Sequence, residues 1–246
     1  ACRITAPLGR SVLNIGNAFL SAMPKGMRSN SELTINKTKI TSTTDGKKFS
    51  AWVITPKSGN TPRPVILFLH GGGFVFKGAP YHYDLAKEYA RCTGSVVVMV
   101  DYRTAHNNPY GTSLQDCLDA WRWIISEAQS LGIDTTRTAI VGDSAGGFLA
   151  IKTVLGSDIR PSKLMLIYPV VSGIEEFSHK SSHCYLWGEN IPTEEMLIKS
   201  SLERHVDEKS VPLFIMHTSN DQIVDVRNSL ELGAAYRRAK LTFEMH

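Results

Sequence analysis

From Val65 to Met245 short apolar runs alternate with helical stripes, and this alternation limits the fold more than any other feature of the sequence. The runs are Val65–Leu69, Val96–Val100, Thr138–Val141, Leu164–Tyr168, Leu213–His217 and Leu241–Met245. Near-continuous apolar character marks strands buried on both faces. Between them, Tyr83–Arg91, Ala145–Leu155 and Val226–Ala239 have helical spacing. The longest stripe runs through Leu114, Cys117, Leu118, Trp121, Ile124, Ile125, Ala128 and Leu131, one face of a helix. Repeated strand–helix units close as a mainly parallel sheet with helices on both faces, so the expected fold class is α/β.

Two segments lie ahead of the repeat. Ser11–Met23 reads as an amphipathic helix stopped at Pro24-Lys25-Gly26, and residues 1–30 are expected to form an N-terminal cap segment. Leu33 to Ile54 reads as an antiparallel strand pair turning at Asp45-Gly46. Residues 171–211 are polar and irregular, and long for a connection in a compact fold. They are expected to be an insert or lid over a substrate pocket. No repeat, low-complexity tract or linker divides the 246 residues, so one domain over 1–246 is expected.

Charge and cysteine usage narrow the function classes. The net charge of +4 is scattered, and its densest cluster, Arg237, Arg238 and Lys240, ends a helix. No nucleic-acid partner is expected from that pattern. No apolar run approaches the ~20 residues of a membrane span. Cys2, Cys92, Cys117 and Cys184 are widely spaced without a CxxC, which reads as free thiols, with Cys117 buried on a helix face. A cytoplasmic location is expected on that basis, with a processed N-terminus left open because the sequence begins at Ala1.

The chemistry is carried by two loops. Gly142-Asp143-Ser144-Ala145-Gly146 follows one apolar run and opens a helix. A G-x-S-x-G on such a turn lifts a serine hydroxyl clear of the sheet, and small neighbours allow the tight bend. The Ala145 N–H then lies at a helix N-terminus, where an oxyanion would form. His70-Gly71-Gly72-Gly73-Phe74 follows the Val65–Leu69 run, where the second half of an oxyanion site belongs. A phosphate-cradling loop is disfavoured, since no G-x-x-x-x-G-K-[ST] is present. His179 and His183 are spaced i,i+4, but no third ligand joins them in a recognisable pattern, so no metal and no cofactor are expected.

HGGGF together with GDSAGG resembles the hormone-sensitive-lipase-like esterases of the α/β-hydrolase fold. Asp101-Tyr102-Arg103-Thr104-Ala105 is similar to that family's D-Y-R-x-A segment, although the proline usual after it is His106 here. The resemblance runs from about Leu33 to the end, and the C-terminal part is most similar to the bacterial acetyl-esterase branch. It implies a serine carboxylesterase acting on small or acetylated esters through an acyl-enzyme. Ser144 is the implied nucleophile, and the N–H groups of Gly72, Gly73 and Ala145 the implied oxyanion donors. The family's Ser…Asp…His order implies Asp221 as the acid, while Asp225 reads as the start of the next helix.

The base is harder to place. The sequence stops at His246 while Leu241–His246 still reads as strand. The family's histidine lies in the loop after that strand. The base is therefore expected beyond His246, in a protein cut short at its C-terminus, with His246 itself as the alternative. His70 is read as a brace for the oxyanion loop and His217 as a strand end. His82, His106, His179, His183 and His205 are read as loop or helix-surface residues. Phe177, Tyr185 and Trp187 either line a pocket or pack the insert onto the body. The expected partner is a small ester, with a homodimer open. Two other readings stand beside the esterase: an amide or peptide hydrolase of the same fold, and a ligand-binding protein lacking the base.

Overall fold

The apolar runs become strands of one eight-stranded sheet in a computed structural model. It describes residues 8–174, 176–188 and 192–246. Cys2, residues 1–7 of the expected cap segment and residues 175 and 189–191 of the insert lie outside them.

The first described element is α1 (Arg10–Ala22). An antiparallel pair follows, β1 (Leu33–Thr41) and β2 (Lys48–Pro56), turning through Asp45-Gly46 as expected. Then come β3 (Arg63–Leu69), α2 (Pro80–Thr93), β4 (Val96–Asp101), α3 (Thr112–Ser126), α4 (Ala128–Leu131) and β5 (Ile133–Asp143). The second half holds α5 (Ala145–Leu155), β6 (Lys163–Ile167), α6 (Lys180–Trp187), α7 (Glu194–Lys199), β7 (Leu213–Met216), α8 (Arg227–Arg238) and β8 (Phe243–Met245). The sheet order is β1-β2-β4-β3-β5-β6-β7-β8. All pairings from β4 to β8 are parallel.

Both faces of the sheet are covered, which is why the strands read as continuous apolar runs. On one face Trp121 of α3, Phe148 of α5 and Leu232 of α8 join Leu67, Val98, Ile140 and Ile215 in a single core. On the other, Tyr83, Ala86 and Ala90 of α2 pack on Phe68, Met99 and Ile54. The chain winds from β3 outward to β4, then returns to the opposite side of β3 with β5. Such a switch point opens a crevice at the carboxyl ends of the two strands, the general place for a ligand in an open α/β sheet. Here the loops after β3 and β5 meet in it.

Three elements differ from the sequence reading. The stripe expected as one helix is broken at Glu127, which leaves helical geometry at φ −94°, ψ 16°. Both halves still face the same core, so the periodicity runs through the break. β5 starts at Ile133, not Thr138, because Ile133 pairs with Arg63, and the exposed residues between give no apolar signal. The insert 171–211 is more regular than expected. It holds α6, α7 and a 3-10 turn (Leu202–His205), each too short to show a period, and buries Leu186 and Leu202 in the main core.

Candidate active site

Ser144 joins β5 to α5 with φ 51° and ψ −120°, a conformation that costs a non-glycine residue about 1–3 kcal/mol. The surroundings fix it. The Ser144 N–H donates to Ile167 O at 2.9 Å, and its carbonyl accepts from Gly147 and Val170, each at 3.0 Å. The turn presses against the end of β3. A Cβ on Gly146 would lie 2.0 Å from the Leu69 carbonyl oxygen and 2.6 Å from that of His70. The glycine two residues past the serine is thus the contact that brings the two loops together.

The loop after β3 is tied to the same turn through Asp143. The Gly71 N–H donates to Asp143 Oδ1 at 3.0 Å. Gly72 has φ 118°, open to glycine and closed to other residues, and its carbonyl accepts from Val75 and Phe76. Among the described residues no hydrogen bond occupies the N–H of Gly72, Gly73 or Ala145. Three backbone donors are therefore left open around Ser144.

His70 braces this loop as expected. Its Nδ1 donates to Gly71 O at 2.6 Å, and its ring stacks on Tyr102 at 4.3 Å. The Tyr102 hydroxyl donates to the His70 carbonyl at 2.8 Å. Burial, with neighbouring His82, pushes the His70 imidazole down to about 4, so it is neutral near pH 7. The D-Y-R segment is anchored in turn: Asp101 accepts from Tyr83 and Trp52, and Arg103 grips the buried Asp116.

His82 corrects the sequence reading. It is 2% exposed, not a surface residue. Its Nδ1 accepts the Ala79 N–H at 3.0 Å, so the proton sits on Nε2, which reaches Asp143 Oδ2 at 3.2 Å. The physical reason is Asp143: a buried carboxylate needs donors, and Gly71 and His82 supply them. His183 is also buried rather than superficial. Its Nε2 donates to Ser172 O at 2.8 Å, and burial lowers the imidazole to about 4.

Asp221 lies in the loop after β7. Its Oδ1 accepts the N–H groups of Ile223 and Val224 at 2.7 and 3.0 Å. Oδ2 is 3.6 Å from His217 Nε2. That imidazole is fully engaged elsewhere, donating to Val224 O at 2.9 Å and accepting from the Ser229 hydroxyl at 2.7 Å. Asp225 accepts the Arg227 N–H at the start of α8, as the sequence reading placed it. His246 occupies a strand position: its N–H donates to Ile215 O and its carbonyl accepts from His217, both at 2.9 Å. Its ring faces Glu244 and stacks on Phe214. Ser144, Gly72, Gly73 and Ala145 thus meet at the β3–β5 crevice, Asp221 stands in the loop after β7, and the His246 backbone pairs with the sheet while its exposed side chain faces Glu244.

Four further residues face this region without having been singled out for it. Burial raises the phenols of Tyr81 and Tyr168, Asp143 adds to both, and Asp221 adds to Tyr168. Tyr168 follows Ile167, which accepts the Ser144 N–H, and its own N–H donates to Met216 O at 2.8 Å, at the end of β7. His179 Nδ1 is 2.7 Å from Ser182 Oγ, which lies 3.6 Å from where a Cβ on Gly73 would stand. Burial lowers His179 and the Asp221 carboxylate pulls it back up. The start of α6 thus borders the oxyanion loop. No local motif marks these residues, since the sheet order alone brings them together. The insert's aromatics pack it onto the body: Trp187 stacks on Tyr110, Tyr185 meets Leu8, and Phe177 lies under Arg227.

Comparison with known proteins adds a family. A family model described as alpha/beta hydrolase fold matches residues 66–220, which include both loops. An ethyl acetate hydrolase of Pseudomonas putida is 41% identical over 112 residues, 43% of this chain and 35% of that protein. A carboxylesterase of Mycobacterium tuberculosis is 38% identical over 110 residues, 43% of this chain and 34% of that protein. The matched segment thus spans about a third of these curated relatives. Among solved structures, an acetyl ester-xyloside bifunctional hydrolase from Caldicellulosiruptor lactoaceticus superposes with a TM-score of 0.72 at 27% identity. That match covers 82% of this chain and 78% of the other.

Proposed function

Because this chain belongs to the alpha/beta hydrolase fold family, we propose that it is a serine carboxylesterase that hydrolyses small esters through an acyl-enzyme. The observation that carries this reading is the strained Ser144 turn beside three backbone N–H groups that no described residue uses. Ser144 Oγ attacks the ester carbonyl. The N–H groups of Gly72, Gly73 and Ala145 receive the oxyanion, each such donor being worth about 3 kcal/mol in the transition state. A histidine takes the serine proton and returns it to the leaving alcohol, and water then cleaves the acyl-enzyme.

Asp221 orients that imidazole through Oδ2, since Oδ1 is held by its own loop. The His246 carbonyl accepts from the His217 N–H, four positions before Asp221. A short acyl group suits a site bordered by Tyr81, Tyr168 and the start of α6, and relatives named for ethyl acetate and for carboxylic esters support the same substrate class.

The test is a p-nitrophenyl ester series on the natural protein and its Ser144→Ala variant. Turnover is expected to be highest on acetate to butyrate and to fall by about 10^6 in kcat in the variant. A maximum at decanoate or longer overturns the short-acyl reading, and retained turnover in Ser144→Ala overturns the mechanism.

A further inference from the structure

A second open cleft lies apart from Ser144. It has a volume of about 610 Å³ and lies between α1, the outward face of β1 and β2, and the segment after β4. It shares one wall with the site above, because His70 lines it. Its charge is one-sided. Lys25, Lys37, Lys39, Lys48, Lys77 and Arg103 line it, against Asp101. Arg103 is committed to Asp116 and Asp45, and Asp101 accepts from Tyr83 and Trp52. Among the described residues no carboxylate is in ion-pair range of the five lysines.

The strand register explains how the charges gather. Lys39 stands opposite Ser50, Lys37 opposite Trp52, and Thr41 opposite Lys48. Alternation puts all three lysines on the face away from the core residues Ile40, Phe49 and Ala51. Like charges grouped on a sheet face repel and are destabilising. Burial lowers Lys25, with Lys37 and Lys77 adding to the shift against the pull of Asp101. Such a grouping is relieved by a ligand of opposite charge.

A histidine belongs to the same lining. His106 lines the cleft at the position where the family pattern carries proline. Its Nε2 accepts from the side-chain amides of Asn107 at 2.8 Å and Asn17 at 3.4 Å. The ring proton is therefore on Nδ1, which is buried and without a hydrogen-bond partner. Lysines outside ion-pair range of any described carboxylate, gathered along one cleft, suit an acceptor-rich anion.

We propose that this cleft is a binding site for the phosphate group of a small soluble phosphate monoester, separate from the ester site. A phosphate dianion matches several ammonium groups at once. The volume is that of a small-molecule site and exceeds a bare phosphate. Asn14, Ser21 and Asn107 offer the remaining wall to a hydroxylated body.

The experiment is calorimetric titration with inorganic phosphate at fixed low ionic strength, on the natural protein and four variants. Saturable one-to-one binding is expected. Lys39→Gln/Lys48→Gln weakens it at least about tenfold, and folding is retained because two exposed, mutually repelling charges are removed. Lys77→Gln/His106→Gln, from the opposite wall, weakens it likewise. Lys57→Gln/Lys209→Gln makes the same change in net charge elsewhere and leaves binding intact. Ser144→Ala binds like the natural protein, so the result is independent of the esterase reading. Absence of saturable binding overturns the proposal, as does equal weakening by the Lys57/Lys209 pair, which reports diffuse charge only. Binding to phosphatidic acid vesicles but not to inorganic phosphate overturns the assignment to a soluble ligand.

Discussion

Gly146 carries no side chain because none fits, with the Leu69 carbonyl 2.0 Å from where a Cβ would stand. Gly146→Ala must push α5 off the end of β3, and a loss of more than about 4 kcal/mol is expected from such a backbone clash. Urea unfolding checks this, and an unchanged midpoint would show that the two loops are not in contact. Asp221 makes the opposite prediction. Asp221→Asn keeps an oxygen for the Ile223 and Val224 N–H groups, so stability should hold, while kcat falls by about 10^4 through loss of imidazole orientation. Parallel kinetics and thermal unfolding separate the two effects. The glycines and the serine were legible as a motif. The partners of Asp143 were not, since His82 comes from another element.

Among the elements, α1 shows how little of its anchoring is apolar. Val12, Ile15 and Phe19 are exposed, while Asn17 is 6% exposed. Asn17 Nδ2 donates to Val75 O at 2.7 Å, and its Oδ1 accepts the Lys77 N–H at 2.8 Å. One amide thus holds the helix to the stretch that follows the oxyanion loop. Asn17→Ala should cost about 1–3 kcal/mol by leaving buried backbone groups unpaired. Hydrogen exchange of the Lys77 amide should quicken in the variant, and unchanged protection there would sink the idea. The sequence showed the helix but not its seat, because an amphipathic pattern does not reveal a polar latch.

At the scale of the whole molecule, two buried imidazoles set an acid response. His70 and His183 are both held down to about 4 from an ordinary value of 6.5, chiefly by burial. Between those values the unfolded chain binds protons that the folded chain refuses, so stability falls as pH drops below 6.5 and is level above it. Each histidine contributes a slope of about 1.4 kcal/mol per pH unit inside that window. Thermal unfolding from pH 7 to 5 measures it, and His183→Gln should remove one of the two contributions. A midpoint that rises on acidification would contradict the burial of both rings.

The sequence by itself determined the parallel α/β sheet, since runs buried on both faces and separated by helical stripes admit little else. It also determined the serine turn and the glycine loop, whose geometry is local: small residues at fixed offsets suffice. Only the tertiary structure decided that Asp143 is clamped by Gly71 and His82, that the residues after β6 bond to both the Ser144 turn and the end of β7, and that Lys25, Lys39, Lys48 and Lys77 share one cleft. Each depends on strand order and on the alternation of faces, which join residues far apart in the chain. Apolar periodicity records which side of an element is buried. It holds no information about which polar residue from another element meets it there.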